Sequence, residues 1–344
     1  MQVTTIGLDL AKHAFQVHGV NAEGRPVLRK RLRRSEAAAF FAALPPCLVG
    51  MEACATAHHW ARELRRLGHE VRLMPPAYVK PYVKRGKTDA ADAEAICEAV
   101  ARPTMRFVPT KTAEQQAALV LHRTRDLLVR QRTVLINALR GHMAEFGIVA
   151  PQGAGRVHEL VAAVAADEEA GPLPPLARRA LLALAAELQA LGERIKAAEA
   201  AVLAWHRDNE ASRRLATIPG IGPITASAIA ATVPDPAQFR SGRQFAAWIG
   251  LVPRQNSSGG KERLGRISKQ GDRYLRRLLV VGATAVIRHA RTRSAAEAGW
   301  LRGVLERRPA RLASVALANK TARIAWAVLA RGGTYRKPDA AAAA

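Results

Sequence analysis

Four acidic residues lie in sequence contexts that predict a shared metal site. Asp9 ends one apolar run (IGLDLAK) and Glu52 ends another (LVGMEAC), while Asp89 and Asp92 lie three residues apart in KTDAADAEAI. Residues three apart share a helix face, and clustered carboxylates repel one another unless cations neutralise them. Oxygen ligands suit Mg²⁺ or Mn²⁺, and two such ions about 4 Å apart assist in-line displacement at phosphorus. The four acids are therefore predicted to bind metal beside a phosphodiester.

Taken singly, each of these acids is weak evidence, and two of them have a simpler interpretation. At a helix start, Asp89 and Asp92 could serve only to complement the helix dipole, and their spacing does not decide between the two roles. Asp9 is harder to explain in this way, because a carboxylate within an apolar strand needs a partner. Three cations lie near the acids in the sequence: Lys12, Arg85 and Lys87. They either bind substrate phosphates or are solvated surface charges.

A second candidate site lies in the basic segment GLVPRQNSSGGKERLGRISKQGDRYLRR. From Arg254 to Arg277 it holds eight Lys or Arg residues and two acids, which predicts phosphate binding. Ser257 and Ser258 precede two glycines, a pattern that is more often a linker than a nucleophile. A serine attacks phosphorus only when its proton is removed or polarised, and no neighbouring residue clearly does so. The cations predicted to contact phosphates here are Arg254, Lys261, Arg263, Arg266, Lys269 and Arg273.

A glycine-containing turn precedes that segment, in LATIPGIGPITASAIAATV. Gly220 and Gly222 are typical of a helix-hairpin-helix, in which backbone N–H groups at a helix start contact phosphate without reading sequence. A purely structural turn is the alternative.

The elements that position the four acids alternate between strand and helix patterns. The periodicity predicts strands at 5–10, 14–20, 26–32, 47–51 and 70–74, and helices at 35–44, 58–67 and 88–101, with Ser35 as the first N-cap. This order indicates an α/β RNase H-like domain with a mixed sheet. The first and fourth strands are neighbours in that fold, so Asp9 and Glu52 should emerge side by side.

Beyond residue 110 the pattern is helical. A predicted helix at 114–143 carries cations, including Arg123 and Arg130, beside an apolar stripe at Leu121, Leu128 and Leu135. From 181 to 202, apolar residues alternate by three and four, which predicts a helical hairpin, a coiled coil between subunits, or packing within one domain. The predicted divisions are a catalytic domain at 1–110, a basic-helix and coiled-coil connector at 111–210, a mainly α domain at 211–335 and a frayed tail at 336–344.

Composition indicates the partner. Lys and Arg number 53 against 28 acids in 344 residues, a formal charge of +25, which favours a polyanion such as nucleic acid. No apolar run reaches the roughly 18 residues that span a bilayer, and the N-terminus lacks the basic start of a signal peptide. We therefore expect a cytoplasmic protein without a membrane partner. Three scattered cysteines predict neither disulfides nor a zinc site.

Taken together, GLDLAK, GMEACAT, RGKTDAADAEAI, IPGIGPITA and the NSSGG loop resemble an IS110-family transposase of the IS1111 subgroup over nearly the whole chain. The resemblance implies a RuvC-like domain whose D-E-D-D set falls on Asp9, Glu52, Asp89 and Asp92. It also implies a C-terminal serine nucleophile at Ser257, with Ser258 as the alternative, which meets the metal-bound acids in a composite site. A covalent serine–DNA intermediate, dimers that pair as tetramers on double-stranded DNA, a guiding bridge RNA and a place at the bacterial nucleoid are further implications.

Two other functions fit the residues. A metal-dependent nuclease resembling a Holliday-junction resolvase would use the acids to activate water, with the serine loop only binding DNA. A non-catalytic protein would bind nucleic acid through charge and the helix-hairpin-helix alone.

Overall fold

The chain divides into two compact units, which we describe in a computed structural model. The described residues are 2–84, 86, 88–149, 153, 156, 159, 161–162, 165, 173–290 and 295–336. The first unit comprises Met1–Gln116 and Thr232–Arg240, and the second comprises Ala117–Ala231 and Ser241–Ala344. Within the described ranges, no helix combines the length and the low polarity needed to cross a lipid bilayer.

A five-stranded mixed sheet forms the centre of the first unit. Its spatial order is β3-β2-β1-β4-β5, with β1–β2 and β2–β3 antiparallel and β1–β4 and β4–β5 parallel. The predicted mixed sheet is confirmed, and its order is consistent with an RNase H-like fold. The strands are β1 (Thr5–Leu10), β2 (Ala14–Val20), β3 (Pro26–Arg33), β4 (Leu48–Glu52) and β5 (Glu70–Met74).

Helices pack on this sheet through alternating apolar positions. Fully buried side chains of the sheet, including Ile6, Leu8, Phe15 and Val49, form one core with Trp60 and Leu64 of the second helix, as period-two burial in strands requires. The helices of this unit are α1 (Ala37–Ala42), α2 (Ala57–Arg66), α3 (Pro76–Val79) and α4 (Asp89–Val100).

One predicted helix start is wrong. Ser35 does not cap α1 but lies within a 3₁₀ turn, Arg34–Glu36, that precedes the helix. The carboxylate of Glu36 accepts the Arg33 backbone N–H at 2.9 Å, so the chain enters the turn at Arg33, two residues before the predicted cap.

The second unit is mainly helical, as predicted for the C-terminal region, with one short two-stranded sheet. Its helices and strands are α5 (Ala113–Ala144), α6 (Pro175–Asp208), α7 (Glu210–Leu215), α8 (Pro223–Thr232), α9 (Gly242–Ile249), β6 (Pro253–Gln255), β7 (Leu264–Ile267), α10 (Arg273–Ala290), α11 (Ala295–Arg307) and α12 (Ala310–Arg331). Of these, α5 begins in the first unit and α8 ends there.

The long helices α5 and α6 bury apolar side chains in the same core. Ile136, Leu139 and Met143 of α5 cluster with Leu181 and Leu188 of α6. Towards its N-terminal end, α5 pairs Arg125 with Glu199 near the C-terminal end of α6 at 2.5 Å, so the two helices run antiparallel. The first part of the seam predicted from 181 to 202, at Leu181 and Leu188, thus packs within the chain.

The stripe predicted for α5 is displaced. Leu121, Leu128 and Leu135 are only half-buried, whereas Leu119, His122, Ile136, Leu139 and Met143 are the buried large side chains. A strict seven-residue step cannot follow one face of a straight helix, because 3.6 residues per turn rotate it steadily away.

Candidate functional site

Asp9 and Glu52 lie on neighbouring strands at the same edge of the sheet. β1 and β4 are parallel, and their register pairs Gly7 with Gly50 and Leu8 with Met51. Asp9 and Glu52 are the next residues of the two strands, which lie about 4.8 Å apart, and residues in matching register point to the same face. The register therefore places the two half-buried acids side by side.

The face to which they point is covered by α4, and two glycines permit its close approach. A Cβ on Gly7 would lie 2.1 Å from the carbonyl oxygen of Ala93 and 2.4 Å from the backbone nitrogen of Cys97. A Cβ on Gly50 would lie 2.7 Å from Cβ of Val100. Any larger residue at these two positions would push α4 away from the strand ends that carry the acids.

The direction of α4 brings its N-terminus towards the same edge. Cys97 contacts Thr5 and Gly7, and Ala93 contacts Gly7, so α4 runs antiparallel to β1. Asp9 is two strand residues beyond Gly7, about 7 Å, and Asp89 is four helical residues before Ala93, about 6 Å. Both acids therefore reach a similar level along the sheet, and Asp92 lies one turn from Asp89 on the helix.

The four acids do not converge on a single point in the arrangement described. Within the described part of the chain, no three Asp, Glu, His or Cys side chains lie close enough together to hold one metal. Asp89 is exposed and Asp92 is half-buried in the first turn of α4, whose N-cap is Thr88. In that position both acids also complement the positive end of the helix. The geometry thus admits both roles considered from the sequence.

The thiol of Cys54 lies within the electrostatic field of both strand acids. Partial desolvation raises its pKa, and the negative charges of Glu52 and Asp9 raise it further. The two carboxylates therefore both lie near this thiol, and they concentrate negative charge where β1 and β4 end.

The cations predicted beside the acids are only partly described. Lys12 is exposed in the loop that joins β1 to β2, where it is available to a ligand or to solvent. Arg85 and Lys87 lie outside the described residues.

The serine segment forms a β-hairpin rather than the flexible loop expected from Ser-Ser-Gly-Gly. β6 and β7 are antiparallel, and Ser258 and Lys261 form the last bridge before the turn. The Lys261 N–H donates to the Ser258 carbonyl at 3.1 Å, while Gly259 and Gly260 have φ of +56° and +76°. Positive φ at both central residues is typical of a type I′ turn, whose twist matches that of the strands. The glycines therefore specify a tight turn.

The two serines differ in their surroundings. The Oγ atom of Ser257 accepts the backbone N–H of Arg263 across the hairpin at 3.1 Å, and Asn256 N–H donates to the Arg263 carbonyl at 2.9 Å. No described residue bonds the side-chain hydroxyl of Ser258. Ser257 is thus the serine whose oxygen is held in place, with its own proton still available.

The cations predicted around the serines are exposed to solvent. They lie on or immediately after the hairpin, and Arg273 begins α10. Arg254 donates to the Ser268 carbonyl at 3.4 Å, a long bond that constrains it little. The exposed set comprises Arg254, Lys261, Arg263, Arg266, Lys269 and Arg273.

Comparison with known proteins identifies the family. A DEDD-type transposase model matches residues 6–148, and a model described as "Transposase IS116/IS110/IS902 family" matches residues 212–298. A protein of Pseudomonas aeruginosa named "Probable family 20 transposase" is 55% identical over 98% of this chain and 99% of its own length. The chain belongs to the IS110/IS116/IS902 family of transposases.

Two further relatives support this assignment and confirm the resemblance predicted from sequence. The transposase for insertion sequence element IS1328 of Yersinia enterocolitica is 45% identical over 97% of this chain and 99% of its own length. The transposase for insertion sequence element IS1111A of Coxiella burnetii is 43% identical over 97% and 92%. The chain is therefore an insertion-sequence transposase, an enzyme of DNA recombination. One matched region contains the four acids, and the other contains the serine hairpin.

The predicted phosphate contacts elsewhere in the transposase differ in availability. Arg123 is exposed on α5, whereas Arg130 lies 3.5 Å from Asp126 one turn earlier. Gly220 packs against Gly282 of α10, so its Cα faces protein. Gly222 is exposed immediately before α8, where the free N–H groups of a helix start lie.

A buried polar network in the second unit of the transposase has no signature in the sequence pattern. His122 Nε2 lies 3.0 Å from Ser227 Oγ, and Nδ1 lies 3.1 Å from the Tyr274 hydroxyl. Ser227 Oγ also lies 2.7 Å from the Pro223 carbonyl, which must accept its proton. His122 Nε2–H then donates to Ser227, and Nδ1 accepts from Tyr274. No local pattern predicts this, because His122 is more than 100 residues from both Ser227 and Tyr274.

Burial defines the protonation states of this network. Desolvation lowers the pKa of His122 to about 4, and the charge of Arg125 contributes. Burial raises the pKa of Tyr274. Both side chains are therefore neutral near pH 7, as their hydrogen bonds require, and they connect α5, α8 and α10.

Proposed function

We propose that this transposase cuts and rejoins DNA through Ser257, and that Asp9, Glu52, Asp89 and Asp92 bind Mg²⁺ or Mn²⁺ for the same reaction. The observation that carries the proposal is the hairpin, which holds one serine oxygen in a segment rich in exposed cations. A flexible linker would not hold that oxygen by a hydrogen bond from the opposite strand.

Ser257 would form the covalent bond to DNA. Its Oγ gives up its proton as it attacks a backbone phosphorus, the new O–P bond replaces the bond to one bridging oxygen, and that leaving oxygen takes up a proton, so that protons balance. Attack by a second DNA hydroxyl then releases the serine. Arg254 and Arg263 flank the phosphate and neutralise its charge, as charge-assisted contacts to phosphate do. The Arg263 N–H keeps Oγ pointing from the hairpin in one direction.

The acids suit a divalent cation by their chemistry. Asp9 and Glu52 place two carboxylates on adjacent strand ends, and α4 brings two more towards the same edge. All four donors are hard oxygens, the ligands that Mg²⁺ prefers. When bound, the ion would polarise phosphate oxygens and stabilise charge that develops on them.

We further propose, from the family resemblance, that a bridge RNA guides the transposase, that it assembles as dimers that pair into tetramers, and that it acts at the nucleoid in the bacterial cytoplasm. The charge of +25 supports binding of nucleic acid, and exposed Arg123 supports a contact outside the hairpin.

Trapping of protein on end-labelled DNA in Mg²⁺ tests the nucleophile. The wild type should yield a denaturant-resistant protein–DNA adduct, Ser257→Ala should yield none, and the matched control Ser258→Ala should retain it. An adduct in Ser257→Ala that disappears in Ser258→Ala would move the role to Ser258. DNA cleavage that survives both substitutions would favour a nuclease that uses water.

A further inference from the structure

A large cavity in the second unit lies beside the serine hairpin. Its volume is about 1170 Å³, and residues of α9, α11, α12 and the hairpin line it. Leu312, Val315, Ile324 and Trp326 make much of the wall apolar. A space of this size admits a planar heterocycle with its attached sugar and phosphate.

The charged residues of this cavity all have one sign. Five Lys or Arg residues line it and no acid does, and among the residues described no carboxylate forms an ion pair with any of the five. Unneutralised cations around an apolar interior favour a ligand that is both anionic and aromatic. The five are Arg243, Arg266, Arg308, Lys320 and Arg323.

Trp300 supplies an aromatic surface in this cavity. The residue is 44% exposed, which is high for a tryptophan. Lys320 Nζ lies 4.4 Å from the centre of its ring, a cation–π contact that orients the indole. An exposed indole beside cations is the arrangement on which single-stranded nucleic acid stacks.

The cavity is continuous with the hairpin that carries Ser257. Gly265, Arg266 and Ile267 of β7 line the cavity, and Arg263, two residues before Gly265, donates to Ser257. Two strand residues span about 7 Å, which is the length of about two stacked nucleotides. DNA bound at Ser257 would therefore need to extend by about two nucleotides to reach the residues that line the cavity.

We propose that this cavity binds one unpaired base of the DNA strand that reaches Ser257, with the base against Trp300 and adjacent phosphates on the cationic rim. The choice of DNA rests on the proposed role of Ser257. A cavity that takes an unpaired base gives the transposase a preference for DNA opened near the reaction point, because a paired base cannot enter without unstacking.

Binding of full-length protein to two DNAs tests this proposal. One is a fully paired duplex, and the other contains a short unpaired segment with fluorescent 2-aminopurine. In the wild type the fluorescence should be quenched on binding. Trp300→Ala should remove the quenching and weaken binding of the opened DNA about tenfold, with the paired duplex changed less than twofold. Trp300→Phe should retain both properties.

Controls separate stacking from charge and from misfolding. Tyr78→Ala removes a ring of similar exposure, 43%, in the first unit, and should leave both affinities unchanged. Thermal unfolding checks each variant, and Trp300→Leu, which keeps apolar contacts, replaces Trp300→Ala if the latter unfolds. Lys320→Gln should weaken binding of the opened DNA more than binding of the paired duplex.

Three outcomes would overturn the proposal. If Trp300→Ala weakened binding of both DNAs equally, the cavity would act only as a charged surface. If Trp300→Ala weakened binding of neither DNA, Trp300 would have no part in DNA binding. Tighter binding and stronger quenching with RNA of the same sequence would exclude DNA as the occupant. The adduct assay remains independent. If no adduct forms at Ser257 while the Trp300 effects persist, the nucleophile is wrong and the base site stands.

Discussion

Ser227 Oγ lies 3.0 Å from Nε2 of His122 in the interior of the second unit. With the Tyr274 hydroxyl on the other ring nitrogen, this contact fixes a neutral histidine between three helices. The uncharged imidazole, together with the packing of Gly220 on Gly282, therefore positions the turn before α8 against α10, which starts just after the serine hairpin.

Acidification should destabilise the protein through His122. Its pKa is about 4 in the folded state and 6.5 ordinarily, so between these values the unfolded chain binds more protons. The free energy of unfolding therefore falls as pH is lowered from 6.5 to 4, by about 3 kcal/mol in total. Urea denaturation at a series of pH values measures this slope.

His122→Gln should remove this contribution to the slope, since glutamine does not titrate. His13→Gln removes an exposed histidine from the first unit and should leave the slope as in the wild type. An unchanged slope in His122→Gln would assign the acid sensitivity to other groups.

Gly7→Ala should destabilise the protein by about 2 kcal/mol or more, because the added methyl group would overlap the backbone of α4. Chemical denaturation measures the loss. Gly192→Ala is the matched control: nothing lies within 4 Å of its added Cβ in α6, so helix propensity should stabilise it by up to about 1 kcal/mol. Effects of the same sign in both variants would contradict close packing of α4 at Gly7.

Sequence patterns predicted the first unit well because several of its strands are short, largely buried apolar runs that lie between turn residues. The predicted strand at 14–20 coincides with β2, and that at 47–51 differs from β4 by one residue at each end. The neighbouring positions of Asp9 and Glu52 follow from that strand order, since the order alone determines which strand ends adjoin.

The hairpin and the His122 network could not be predicted in the same way. β6 and most of β7 are exposed on both faces, so they carry no apolar alternation, and Ser-Ser-Gly-Gly is typical of both linkers and I′ turns. His122 lies in an arginine-rich helix where its pattern is that of a surface residue. Only contacts made across more than 100 residues bury it.

Mg²⁺ should stabilise the transposase if the four acids bind it. A ligand that binds only the folded state at one hundred times its Kd adds about 2.7 kcal/mol, which raises Tm by several degrees. Asp9→Asn should abolish the rise measured by calorimetry. Glu63→Gln, which removes an acid paired with Arg66 on α2, should retain it. An equal rise in Asp9→Asn and wild type would place the bound ion elsewhere.

Arg263 combines two functions that substitutions can separate. Its side chain is an exposed cation, and its backbone N–H holds Ser257 Oγ. Arg263→Gln removes only the charge, so DNA affinity should fall, and the slope of log affinity against log salt should decrease by about 1. Adduct formation at saturating DNA should stay within about threefold of the wild type.

Arg263→Pro should also lower adduct formation at saturating DNA, which Arg263→Gln should largely leave unchanged. Proline has no N–H to donate to Ser257, so adduct formation should fall by tenfold or more beyond the Arg263→Gln level, with the same salt slope as that variant. Since β7 begins at Leu264, the substitution precedes the strand, and an unchanged Tm would show that the fold is intact. Equal adduct yields from Arg263→Pro and Arg263→Gln would mean that the N–H contact does not position the nucleophile.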